Sequence, residues 1–157
     1  MLSAIDTRKM LEEALTLAYA EASAKHVRLE LDAPDRLPSV YGDNVQLEQV
    51  VLNLVHNAVE AITDAGLPQG QVRVIARELA APPRVEISVL DNGPGVAEHL
   101  EACLFDPLAT SKEDGLGFGL SISASIVEAH GGRVWLHSRK AGATEFRFSV
   151  PLNQPDA

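Results

Sequence analysis

The sequence contains a single cysteine, Cys103, so no internal disulfide can form. A disulfide-framed secreted module is thereby excluded, and a lone thiol in such a chain is expected to be a small buried residue in a cytoplasmic setting. No apolar run reaches the eighteen or more residues of a membrane span, and the N-terminus lacks the pattern of a cleaved leader. Positive charge is also scarce: 13 Lys and Arg stand against 22 Asp and Glu, a net charge of −9. General nucleic-acid binding depends on surplus Lys and Arg to displace counterions, and nothing here tracks a phosphate backbone. There is no internal repeat and no low-complexity stretch.

What is present is the composition of one globular domain: 157 residues, 46% hydrophobic and 22% charged. That is enough chain to bury a proper core. The spacing predicts a central helix from about Asn44 to Thr63, with Asp43 as its N-cap. Its polar residues Gln46, Gln49, Asn53, Asn57 and Glu60 recur every three or four positions and share one narrow stripe. Most of the remaining circumference is apolar, so the helix is mostly buried. The stripe could be a plain solvent face, but Asn is a mediocre helix former, and Lys, Glu or Arg fill a solvent face more readily. Asn53 and Asn57, four apart, stack two amides that offer oxygen to a hard cation and N–H to phosphate.

Two glycine segments follow. Gly115, Gly117 and Gly119 alternate ahead of a run, SISASIVEAH, that reads as a helix from Gly119 to His130. Either the glycines make a flexible loop, or they let backbone approach an anion at a helix start. Between this segment and the amide stripe lies Asp91-Asn92-Gly93-Pro94-Gly95 at the end of a strand. Alone it is an acidic turn; beside the other two it becomes a carboxylate at the edge of a ligand pocket.

Along the chain, a first helix spans about Thr7 to Ser23 with Thr7 as cap, after a linker remnant at 1–6. A strand runs from His26 to Asp32, and a short one covers Ser39 to Tyr41. Gln71 to Arg77 and Arg84 to Leu90 pair as antiparallel strands across Ala80 to Pro83, and Ala97 to Leu104 allows a short helix. Leu120, Ile122, Ile126, Val127 and Ala129 form the apolar side of the last helix, and Gly131-Gly132 stops it. Arg133 to Ser138 and Thr144 to Val150 are the final strands, with a frayed tail at 153–157. The fold class is α/β: three helices on one face of a mixed, mainly antiparallel sheet, a two-layer sandwich.

The ordered set NLVHNAVEA, DNGPGV, LFDPLATSK, GLGFGLSISASIVEAHGGRVW and GATEFRFSVPL resembles the ATP-binding catalytic domain (HATPase_c, or GHKL) of bacterial sensor histidine kinases. It is most similar to the FixL-like and nitrogen-regulation subgroup. The resemblance spans residues 7–152 and implies the Bergerat ATP-binding fold, with a lid at about 97–114. It implies ATP and Mg2+ as cofactors, Asn57 as the Mg2+ ligand and Asn53 as support to metal and phosphates. Gly115, Gly117, Gly119 and Leu120 would supply backbone amides, and Lys112 a cation for the phosphates. Asp91 would accept from the adenine amino group, Gly93 and Gly95 would border the base, and Thr144 would assist Asp91 through its hydroxyl.

The implied activity is protein-histidine kinase: the γ-phosphoryl group passes to a histidine on a separate dimerisation and phosphoacceptor domain, and from there to a response regulator. Phosphoryl transfer is mostly positioning and charge neutralisation, so no catalytic residue beyond ATP positioning is expected. The implied domain is cytoplasmic and monomeric alone, and the parent is free to be membrane-anchored. Related gyrase and mismatch-repair ATPases carry Glu where this chain has Asn53, and an amide cannot act as a base, so hydrolysis should be slow. None of the five His residues lies in a phosphoacceptor helix motif, so the chain alone should not autophosphorylate. His56, beside Asn57, is the one that could approach a phosphate. Leu108 and Ala109 replace aromatics that the family's lid usually carries, and Ser111 replaces a Thr. The alternative function is a nucleotide-switched binding module, an anti-sigma-type serine kinase regulator or a pseudokinase.

Overall fold

The computed structural model describes residues 2–106 and 119–152. Two carboxylate caps set where its long helices begin. For α1 (Thr7–Ala24) the cap is Asp6, whose side chain accepts from the Lys9 amide at 3.1 Å. Thr7, the expected cap, is the first helical residue instead, and its hydroxyl donates to Pro38 O at 2.7 Å. A carboxylate one position earlier satisfies one of the orphan N–H groups of the first turn. Asp43 caps the 21-residue α2 (Asn44–Asp64) in the same way, accepting from Gln46 N.

The main sheet has five strands. Edge strand β2 (Arg28–Asp32) runs parallel to β4 (Gln71–Ala80), and β4 pairs antiparallel with β5 (Pro83–Asp91) across a two-residue connection. Next comes β7 (Ala143–Pro151), then β6 (Arg133–Lys140), all antiparallel. The expected strand start at His26 is corrected: His26 sits in a turn at φ +58, and the ladder begins at Arg28. The remaining two strands, β1 (Leu2–Ile5) and β3 (Val40–Asp43), form a separate antiparallel pair, so residues 2–5 are structured rather than a linker.

Alternation along the strands turns Val72, Val74 and Ala76, then Val85, Ile87 and Val89, then Phe146, Phe148 and Val150 toward the helices. They close on Met10, Leu11 and Ala14 of α1 and on Leu47, Val50, Val51, Leu54 and Val55 of α2. Phe148 is the largest side chain to be fully enclosed, and its truncation to Ala is of the kind that costs about 3–5 kcal/mol. The third helix, α3 (Gly119–Ala129), buries Leu120, Ser123, Ala124 and Val127, the i, i+3, i+4, i+7 set of one stripe. Ile122, expected on the apolar side, is 48% exposed because a helix packed along a single stripe leaves that position outside. Among the described residues no helix is long and apolar enough to cross a membrane.

Candidate functional site

Asn53 joins the two helices that flank the site. Its Nδ2 donates to Gly119 O and to Ser123 Oγ, both at 3.3 Å, while its Oδ1 accepts from Gln49 Nε2 at 2.6 Å. A Cβ on Gly119 would lie 3.4 Å from that of Asn53, so the start of α3 packs closely on the amide. Ser123 is fully buried, and sequence reasoning did not single it out. The available signal was its place one turn after Gly119, between Ile122 and Ala124 in the helical run. One turn along α2, Asn57 presents a different situation: its Nδ2 is buried and has no hydrogen-bond partner among the described residues. Buried amide N–H groups left unpaired are rare because each forfeits its hydration without compensation.

Asp91 ends β5 and is 5% exposed, and its Oδ1 accepts from Gly93 N at 2.7 Å. Burial pushes this carboxyl up to about 6, against the opposing pull of the Gly93 amide. Thr144 is its direct register partner on β7, buried, with its hydroxyl donating to Lys140 O at 3.3 Å. A side chain on Gly93 would fall 2.6 Å from Asp91 Oδ1 and close the space beside the carboxylate. Gly95 adopts φ +87, which only glycine takes without strain, and a Cβ there would also meet Arg139 O at 2.6 Å. The loop is zipped to the β6–β7 hairpin, since Val96 N donates to Arg139 O and Gly142 N to Gly93 O. Asn92 is wholly occupied in the same fastening, with Oδ1 accepting from Gln71 N and Nδ2 donating to Gln69 O.

The two glycine segments therefore meet α2 at separate points: Gly119 lies on Asn53, and Gly93 approaches Ile62 in the last turn. At 1.5 Å per residue these points are about 14 Å apart along the helix, room for an extended ligand. The expected lid begins in a 3-10 segment, Glu98–Cys103, held by Arg139 near Glu98 and Glu101. Leu104 is buried, and Phe105 stands edge-on to Phe146 with centroids 6.2 Å apart. Lys112, Gly115 and Gly117 lie outside the described residues. The side chain of Leu120 is fully buried, which leaves its backbone for any ligand. Cys103 is part-exposed rather than buried.

His56 is turned to other partners. Its Nδ1 lies 2.7 Å from Glu21 of α1 and its Nε2 2.9 Å from Glu60, so the ring is flanked by carboxylates rather than facing a phosphate position. Among the described residues no three His, Cys, Asp or Glu side chains gather as a metal cage. A cation at this site must draw on amide oxygens and on the ligand's own oxygens, the manner in which Mg2+ commonly sits with substrate phosphates. The unpaired Nδ2 of Asn57 is a donor and suits an acceptor such as a phosphate oxygen, while a cation would have to take the Oδ1 of the same amide.

Comparison with known proteins places this fold. The model of the histidine kinase-, DNA gyrase B- and HSP90-like ATPase family matches residues 42–154, and the chain belongs to that family. Among curated proteins it is 39% identical over 143 residues to the sensor protein FixL of Bradyrhizobium diazoefficiens, covering 91% of this chain and 28% of FixL. The chain spans about a quarter of the length of such relatives. Among solved structures, the catalytic domain of histidine kinase ThkA superposes with a TM-score of 0.82 at 26% identity, covering 97% of this chain and 98% of that one. Full-length ShkA in complex with AMPPNP gives 0.83 at 29% identity, covering 99% of this chain and 32% of ShkA.

Proposed function

We propose that this domain binds Mg-ATP and donates the γ-phosphoryl group to a histidine carried on a separate dimerisation and phosphoacceptor domain, from which a response regulator receives it. The observation that carries this reading is the buried Nδ2 of Asn57, a donor without a partner among the described residues, one turn from an Asn53 that already holds the first residue of the glycine-led helix. Asn57 would hold the Mg2+ ion, and Asn53 would support the metal and phosphates. A metal held there would supply Lewis-acid neutralisation of the charge on the phosphates. The chain's own residues do the rest. Asp91, ionised, accepts from the exocyclic amino group of adenine, with Thr144 beside it; Gly93 and Gly95 keep side chains out of the base pocket; the amides of Gly119 and Leu120 face the phosphates at the positive end of α3. Lys112, Gly115 and Gly117 are proposed to complete the phosphate cradle.

No group at the Asn53 position can serve as a general base for water, which favours transfer over hydrolysis. The test is phosphotransfer from γ-labelled ATP to an added phosphoacceptor-helix fragment, with Mg2+ and with EDTA. Label on the fragment's histidine in Mg2+ alone is expected. Tight nucleotide binding with no transfer to any fragment would favour a nucleotide-switched binding module instead.

A further inference from the structure

We propose that His130 is a positioning residue for the nucleotide cleft, pinning the far end of α3 to the N-terminus of α2. The inference rests on the Mg-ATP reading and adds a residue that no nucleotide contact requires. His130 follows the last turn of α3 and is 6% exposed. Its Nδ1 lies 2.7 Å from Ile126 O, and its Nε2 accepts the Asp43 N–H at 3.0 Å. A carbonyl can only accept and a backbone amide can only donate, so the ring is neutral with its proton on Nδ1. Its partner Asp43 is the residue whose side chain caps α2. The slot for the ring exists because residue 42 is glycine: a Cβ there would stand 2.4 Å from His130 Cδ2 and 2.8 Å from Nε2.

The third helix is thus fastened to α2 at both of its ends. Asn53 meets Gly119 and Ser123 at the start of α3, and Asp43 meets His130 just beyond its end. The fastenings are about 15 Å apart along α2 at its rise per residue. Between them α3 buries Ala124 and Val127, short side chains that do little to fix a sliding register. Two polar clasps at the ends then define how the amides of Asn53 and Asn57 stand relative to the backbone at Gly119. Ligand groups that must converge on one phosphate chain are sensitive to errors of this kind, since misplacements of an ångström are costly.

The experiment compares two neutral amides at position 130. His130→Asn keeps a donor near Ile126 O but falls short of Asp43; His130→Gln carries an oxygen to the place of Nε2. Affinity for a fluorescent ATP analogue with Mg2+ is measured on folded protein, alongside hydrogen exchange of the Asp43 amide in the empty domain. Losing one cross-helix hydrogen bond should weaken binding about five- to tenfold in His130→Asn and speed Asp43 exchange, with His130→Gln restoring both to within about twofold. Gly42→Ala, which fills the slot and leaves the imidazole in place, should weaken binding as His130→Asn does, and it decides the matter with His130→Gln should the Asn variant not fold. Wild-type affinity in His130→Asn or in Gly42→Ala overturns the inference, as does equal loss in Asn and Gln. Failure of the unaltered domain to bind the analogue would instead bring down the functional reading on which all of this stands.

Discussion

Asp91 accepts the amide of Gly93 at 2.7 Å, and that single backbone bond does not offset the burial of a carboxylate only 5% exposed. The consequence is a group held up at about 6, against an ordinary value of 3.8. The sign for stability follows from proton counts. Between 3.8 and about 6 the folded state binds more protons than the unfolded chain, so stability from this group is greatest in acid and declines as pH rises through that window. At neutral pH the ionised carboxylate costs on the order of 3 kcal/mol. Asp91→Asn, which keeps an acceptor for Gly93, should therefore raise the thermal midpoint at pH 7.5 while losing nucleotide affinity. Calorimetry with and without Mg-ATP checks both; a lower midpoint in the empty variant contradicts the burial account.

The same group gives binding a pH dependence of opposite sense. An ionised carboxylate is a stronger acceptor than the protonated acid for the adenine amino group proposed beside it, so affinity for an ATP analogue should hold above about pH 6 and weaken as pH falls below it. Titrations at several pH values between 5 and 8 measure this, and Asp91→Asn should flatten the profile. A wild-type affinity independent of pH across that range would remove Asp91 from the base pocket.

Asn53 and Asn57 should part ways when each is changed to Ala. Asn57 has no bond from Nδ2 to lose, so Asn57→Ala is expected to abolish Mg-ATP binding with a stability change under about 0.5 kcal/mol. Asn53 holds Gly119 and Ser123, so Asn53→Ala should cost about 1–2 kcal/mol even without nucleotide. Urea unfolding and analogue titration on the same samples separate the two, and unchanged affinity in Asn57→Ala would reject its place at the metal.

His56 offers a control. It bridges Glu21 and Glu60 at the surface, 51% exposed, where such pairs are worth little. His56→Ala should lower stability by no more than about 1 kcal/mol and leave Mg-ATP affinity intact. A tenfold or larger loss of affinity would put the ring back at the phosphates.

What could be read directly from the residues was whatever periodicity and capping encode locally. The 3.6-residue spacing of Leu47, Val50, Val51, Leu54, Val55 and Ala58 fixed α2 and its buried side, Asp43 marked its start, and alternation from Gln71 through Leu90 gave the paired strands. The asparagine ladder and the glycine segments were likewise legible as residue types with a chemistry. Periodicity states which face a residue occupies, not which element will cover that face. The clasp from Asn53 to Ser123 closes over 70 residues and that from Asp43 to His130 over 87, and neither leaves a mark on local spacing. His56 shows the converse, since its neighbour Asn57 suggested a phosphate and the approach of α1 gave it Glu21 instead. The chain alone thus determined which groups are available; the packing of α1, α2 and α3 on one sheet decided which of them are satisfied by one another, as Asn53 and His130 are, and which, like the Asn57 Nδ2, have no partner among the described residues.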